Sequence, residues 1–280
     1  MLKTPVTGFI RYSCKASFSR KDFFCPAYMD YRLDIFKNIT LKSFQEQTDK
    51  DFNIFLLHSE SLPEKYKDIF KELEDSNIFL HNIYISDTEI EGTSYLNAVQ
   101  ETINSTNFYS GISINFRIDN DDALPCDYIQ RIKTFLNPAF SGFVISLPNV
   151  TIVQRTAKNI YTKQEIYFPA NSIGLAYVTE KKDYKTIMTL GDHGKINKKH
   201  PMILLPCKGG IQTISGTNIM NSLYFGHSLS FDHESLSSNF RENGYAYMEF
   251  DCLNVCKRRI IMETLIKTKN FIKKRIVTKE

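Results

Sequence analysis

Apolar residues follow two alternating rhythms along the first half of the chain. Gly8-Phe9-Ile10-Arg11-Tyr12 predicts a first strand. From Tyr31 to Gln47, Leu33, Phe36, Thr40 and Phe44 recur near helical spacing with polar residues between them, which predicts an amphipathic helix. Thr48-Asp49-Lys50-Asp51 reads as a turn. Phe52 to His58 is then a short, nearly continuous apolar run, as expected of a strand covered on both faces. Pro63 to Glu74 predicts a helix and Asn77 to Ile85 a third strand. Ser94 to Ile103 predicts another helix through Leu96, Val99 and Ile103, and Ile112 to Ile118 a fourth strand.

Strands alternating with helices imply α/β architecture with a mostly parallel, doubly wound sheet. After Pro138 the rhythm changes. Gly142–Ser146 and Val150–Gln154 flank Leu147-Pro148-Asn149 and predict a hairpin. Further short strands are expected at Glu165–Phe168, Ile173–Val178 and Thr186–Leu190, before the polar loop Gly191–Lys195. A helix is expected to run to Phe225. The expectation is one domain over residues 1–250, with a mostly parallel half (1–140) and an antiparallel, mixed half (141–250). Residues 251–280 are expected to form a basic amphipathic helix.

The fourth strand runs into Arg117-Ile118-Asp119-Asn120-Asp121-Asp122, three carboxylates within four residues. In an extended segment Asp119 and Asp121 point to one side. Mg²⁺ and Mn²⁺ take oxygen ligands, commonly one or two carboxylates plus substrate phosphates. Parallel sheets bind ligands at the carboxyl ends of their strands. The plain alternative is a solvated acidic turn capping a helix.

Composition excludes several classes. The 280 residues are 42% hydrophobic and 24% charged, an ordinary globular balance. No window approaches the apolar length of a membrane span, and Met1–Pro5 lacks the apolar core of a secretory signal, so a cytoplasmic protein is expected. The six cysteines show neither CxxC pairs nor zinc spacing. The net charge of +4 is concentrated at the end. Residues 252–280 hold nine Lys or Arg against Glu263 and Glu280, net +7, leaving −3 for the rest. The excess is a tail property rather than a nucleic-acid groove, and no nucleic-acid partner is expected. Such a tail can lie on an anionic leaflet, peripheral to the inner face of a membrane, or pack on the domain with a solvated basic face.

Three segments carry a family resemblance. Arg32 to Phe36, with Ser43-Phe44-Gln45-Glu46-Gln47-Thr48-Asp49-Lys50-Asp51-Phe52, resembles the R-x-x-x-F … S-L-x-x-Q-T-D-x-D-F opening of the putative rhamnosyltransferases. Arg117 to Leu124 is similar to their R-L-D-x-D-D-A-L, and Ile211 to Asn218 to their L-Q-x-x-H-G-x-N. The resemblance implies a GT-A-like fold, with residues 1–140 the nucleotide-binding half and 141–250 the acceptor half, and sugar transfer from a dTDP- or UDP-sugar to a saccharide or lipid-linked acceptor, such as a growing lipopolysaccharide or capsule chain. It implies Mn²⁺ or Mg²⁺ bound by Asp121, and Asp119, Asp122 and Arg117 at the donor. His193 would be a further metal ligand. His58 and Ser59, at the end of the second strand, are candidates for lining the nucleoside pocket. Asp192, by position, is the candidate general base, with Glu165 second. One position departs from the family: Ser215 stands where its late His is expected, and His193 is the next candidate by order.

Two other functions compete. A sugar nucleotidyltransferase would need a glycine-rich phosphate loop, which Arg11-Tyr12-Ser13-Cys14-Lys15 lacks. A catalytically silent carbohydrate-binding or scaffold protein would fit the Ser215 departure. A phosphatase reading fails for want of a downstream Thr or Ser, and an EF-hand fails because Leu124 stands where the loop needs Gly.

Overall fold

The computed structural model describes residues 4–14, 24–87, 111–180, 184–215 and 228–256. Four strands form the parallel part of the main sheet: β1 (Val6–Ser13), β2 (Asn53–Ser59), β3 (Leu80–Ile85) and β4 (Ile112–Arg117). Three more complete it: β8 (Leu175–Glu180), β5 (Val144–Ser146) and β9 (Met202–Leu204), in the order β3-β2-β1-β4-β8-β5-β9. β8 runs antiparallel to both β4 and β5. The expected α/β class, a mostly parallel sheet with an antiparallel, mixed second half, is what the chain forms.

A smaller sheet has the order β10-β6-β7-β11, from β6 (Asn149–Ala157), β7 (Ile160–Tyr167), β10 (Gly210–Ile214) and β11 (Leu229–Phe231). It corrects the expected hairpin. β5 and β6 belong to different sheets, and Leu147-Pro148 is the crossing between them. Proline has no N–H for a ladder. Its carbonyl instead accepts from Phe168 N, and the Leu147 carbonyl accepts from the Asn171 amide. β6 makes its hairpin with β7 through Lys158-Asn159, where Asn159 takes a positive φ of 61°.

The first long helical stretch starts at Pro26, a residue suited to a first helical position. It comprises α1 (Pro26–Ile35), a π turn (Phe36–Thr40) and α2 (Leu41–Gln45). This stretch is apolar on two sides. Leu33, Phe36 and Phe44 pack with Ile10, Ile54 and Phe116 of the main sheet, while Ile35 and Ile39 pack with Val153, Tyr161 and Ile211 of the small sheet. Full burial of each such side chain contributes about 2 kcal/mol. α3 (Glu64–Ser76) buries Tyr66 and Phe70, and α4 (Tyr128–Lys133) buries Tyr128, Ile129 and Ile132. α5 (His233–Glu242) joins the small-sheet core through Leu236 and Phe240.

Two further expectations change. Thr186–Leu190 is not a strand: Ile187–Thr189 is a 3-10 turn that buries Ile187 and Met188 with Phe9, Phe55 and Tyr177. Residues 252–256, expected to lie in the tail helix, are not helical beyond the end of a 3-10 turn (Phe250–Cys252): Leu253 is extended and Cys256 N donates to Arg155 O. The remaining tail, the helix expected at Ser94–Ile103 and the one expected to reach Phe225 lie outside the described residues. Among the described residues no helix is long and apolar enough to cross a membrane.

Candidate functional site

The chain leaves β1 in one direction to build β2 and β3, then returns to place β4 on the other side of β1. This reversal opens a crevice beyond the carboxyl ends of β1 and β4. Register fixes what lines it. Phe9 lies opposite Arg117, so Arg11, two residues on, shares a sheet face with Arg117. Tyr12 faces the other way, towards Phe36.

Beyond β4 the acidic loop is tied down by backbone. Ala123 and Ile211 exchange both N–H···O bonds, at 3.0 and 2.8 Å. Thr213 Oγ1 donates to the Asp121 carbonyl at 2.5 Å, and Thr213 N donates to Asp122 Oδ1 at 3.2 Å. The small sheet therefore holds the loop that the main sheet begins. The Gln-Thr-Asp-Lys-Asp motif holds its exit. Gln47 Nε2 donates to the Pro125 carbonyl at 2.8 Å, Gln47 Oε1 accepts from Ile129 N at 3.1 Å, and Lys133 bridges Asp49 and Asp51 at 2.8 and 2.9 Å.

Each acid meets a different environment. Asp119 is partly exposed; Arg117 Nη2 donates to its Oδ1 at 3.5 Å and Ser172 Oγ to its Oδ2 at 3.4 Å. Burial pushes its carboxyl up, but Arg117, Arg11, Arg32 and His193 more than offset this and hold it below the usual carboxylate range. Asp121 is buried, and Arg32 Nη1 of α1 donates to its Oδ2 at 3.1 Å. Burial and the neighbouring Asp119 raise its pKa despite that pair. Asp122 is also buried, and burial with two acidic neighbours raises it well above the ordinary value. It braces β10 against the loop.

His193 stands in a 3-10 turn (His193–Lys198) capped by Asp192, whose Oδ1 accepts from Gly194 N at 3.0 Å. The imidazole lies within the field of Arg117, Asp119 and Arg11, and burial followed by Arg117 lowers its pKa. The structure therefore brings His193 towards Asp119. Asp192 is exposed beside it, and Glu165 sits on β7 with Lys163 at 3.5 Å.

His58 and Ser59 end β2, and the His58 ring packs 5.7 Å from the Tyr12 ring. The His58 ring is fully buried, with Nδ1 2.8 Å from Ser13 Oγ and Nε2 3.1 Å from Asn82 Oδ1, and burial lowers its pKa to about 3. Ser59 Oγ lies 2.8 Å from Ser61 Oγ and donates to Asp87. Ser215 follows β10 and is fully buried, its carbonyl accepting from Tyr31 Oη at 2.9 Å, and Tyr31 Oη accepts from Asn254 N at 2.9 Å.

The expected divalent ion can be tested against these groups. Among the described residues no three His, Cys, Asp or Glu side chains gather as a ligand set. Asp121, the expected ligand, is paired with a guanidinium. The buried atoms without a partner around the loop are Tyr12 Oη, Arg117 Nε and Asn120 Nδ2, all able to donate. A cation satisfies acceptors, so this set does not fit a resident metal. Arg11, Tyr12, Arg32 and Asn120 are site residues that sequence reasoning missed. The R-x-x-x-F segment was the available signal for Arg32.

No curated protein matches the chain. Among solved structures, residues 1–349 of S. aureus TarS in complex with UDP-GlcNAc align at 10% identity with a TM-score of 0.43, over 79% of this chain and 62% of that one. TarS 1–349 without ligand aligns at 8% identity and TM-score 0.42, over 75% and 60%. A "putative nucleotide-diphospho-sugar transferase" from Desulfovibrio desulfuricans G20 aligns at 10% identity and TM-score 0.37, over 76% and 84%. The chain thus spans about three-fifths of the TarS chains it resembles. Residues 5–222 match the family described as "Putative rhamnosyl transferase", a stretch that runs from β1 through the acidic loop to β10 and beyond. With so much of its length matched, the chain belongs to that rhamnosyl transferase family.

Proposed function

We propose that this protein is a glycosyltransferase. It moves a sugar, rhamnose by the family's description, from a dTDP- or UDP-linked donor to a hydroxyl of a saccharide or lipid-linked acceptor in surface polysaccharide synthesis. One observation carries this reading. An ionised, partly exposed Asp119 and the guanidinium groups of Arg11, Arg32 and Arg117 converge beyond β1 and β4, at the point where the sheet reverses.

In the transfer, the bond between sugar C1 and the β-phosphate oxygen breaks and its electron pair stays on the diphosphate. The acceptor oxygen forms the new bond to C1 and loses its proton. Fixed positive groups where the leaving charge develops lower the barrier. The arginines supply them. Asp119, accepting only modest hydrogen bonds from Arg117 and Ser172, has lone pairs left for ribose or sugar hydroxyls. The acceptor proton goes to His193, whose pKa burial and Arg117 hold below the ordinary imidazole value and which lies in the field of Asp119, or to the adjacent Asp192. Asp122 and Thr213 position the loop rather than touch the donor.

Release of UDP or dTDP from a panel of nucleotide sugars, for the wild type and Asp119→Asn, tests the reading. Turnover with one donor that falls at least about tenfold in the variant is expected. Nucleotide binding without turnover for any donor and acceptor would favour the silent binding protein.

A further inference from the structure

The unmet needs of this site are those of hydrogen-bond donors. Tyr12 is buried from the end of β1, its ring fixed against Phe36 and Phe70 at 5.2 and 4.6 Å, and its hydroxyl has no partner. It shares its surroundings with Arg32 and Asp121. Arg117 leaves Nε unpaired, and Asn120, between the two acids, is buried with Nδ2 unpaired. A buried donor without an acceptor carries a desolvation cost that a ligand oxygen would relieve.

The pairing points the same way. Three guanidinium groups, Arg11 and Arg117 from one face of the main sheet and Arg32 from the other, act on Asp119. Arg32 is paired with Asp121 and Arg117 with Asp119, while Asp122 accepts from Thr213 N rather than from a guanidinium.

The geometry points to direct binding of the donor's diphosphate by Arg11, Arg32 and Arg117, with Tyr12 and Asn120 donating to its oxygens, so that donor binding needs no divalent cation. This inference rests on the glycosyltransferase reading. Arginine suits the task because its planar fork binds phosphate oxygens in pairs and keeps its charge when buried. Asp121 then serves as a holder. It fixes the buried Arg32 guanidinium at 3.1 Å instead of ligating an ion.

Calorimetric titration of the full chain with UDP, dTDP and GDP, in EDTA and again in Mn²⁺, tests this. One diphosphate is expected to bind with the same Kd in both buffers within about twofold, and the matching monophosphate to bind about tenfold or more weakly. Arg117→Gln is expected to weaken diphosphate binding about tenfold or more at an unchanged melting temperature, and Tyr12→Phe to weaken it by a smaller factor. The Tyr12 change removes only the unpartnered hydroxyl, so it keeps the test open if an arginine variant folds poorly. Binding that appears only with Mn²⁺, or that neither variant weakens, overturns the arginine inference and leaves sugar transfer standing. Absence of binding by every diphosphate in both buffers overturns the glycosyltransferase reading itself.

Discussion

Arg32 of α1 and Asp121 of the acidic loop meet at 3.1 Å, 89 residues apart in sequence, with side chains only 14% and 5% exposed. Neither charge can be left alone there. Removing one partner of a buried pair typically costs about 3–5 kcal/mol because the other stays desolvated and uncompensated. Arg32→Met should therefore lower stability by about that amount, and adding Asp121→Asn should restore most of it. Urea unfolding of the wild type, both single variants and the double variant gives the coupling directly. Simply additive losses would show that the pair is not a unit.

Asp122 makes a prediction of opposite sign in pH. Its folded pKa is raised, first by burial and then by Asp121 and Asp119. The protonated form is thus favoured by the fold. Its contribution is complete below the unfolded value of about 3.9 and is lost as pH rises through the raised folded value. Asp122→Asn keeps an oxygen for Thr213 N and removes the titration. Its melting temperature should fall less than the wild type's as pH rises from 5 to 8. Asp122→Ala loses the acceptor and should melt lower at every pH. An Asn variant that tracks the wild type across the range would place the shift on another group.

The strands that form the crevice were legible because each is covered on both faces and reads as an apolar run: β1, β2 and β4 stand within two residues of their expected ends. The acidic loop was legible because a strand cannot continue through Asp119-Asn120-Asp121-Asp122. Its partners were not. Nothing local to Arg32 says that α1 will be clasped by two sheets and aimed at Asp121, since that depends on Leu33 and Phe36 facing one core and Ile35 and Ile39 another. The same blindness produced the false hairpin. Alternation and a Pro-Asn turn look alike whether two strands pair or part, and only the contacts of β6 with β7 and β10 decide it. The Gln-Thr-Asp-Lys-Asp segment resembled a family signature, and its work proves to be fastening Pro125 and α4 behind the loop.

His193 should give the pH profile of transfer its acid limb. A base must be unprotonated, and burial followed by Arg117 holds this imidazole below its ordinary value near 6.5, with Asp119 and Asp192 pulling it partly back. The rate should therefore rise with pH through a midpoint below 6.5 and level off by neutrality. His193→Asn should lower kcat about a hundredfold or more, leave KM for the donor nearly unchanged and erase that limb. If the limb survives in His193→Asn and disappears in Asp192→Asn, the exposed carboxylate is the base.

The placement of the site finally depends on a contact that holds no charge. Gly209 precedes β10 with its Cα pressed against β6: a Cβ built there would lie 1.1 Å from the Asn149 carbonyl oxygen. Backbone cannot yield as a flexible side chain can, so Gly209→Ala must push β10 away from β6. β10 is the strand whose Ile211 and Thr213 hold Ala123, Asp121 and Asp122 in place. The variant should lose about 2 kcal/mol or more of stability and bind donor nucleotide more weakly, although residue 209 reaches no ligand. Gly194→Ala is the control. There the added carbon meets only Asp192 Oδ1, at 3.4 Å, in an exposed turn, and stability should hardly move. A Gly209→Ala protein that melts with the wild type would mean that β10 can shift freely along β6. The acidic loop would then have to be positioned by the main sheet and the Gln47 contacts alone.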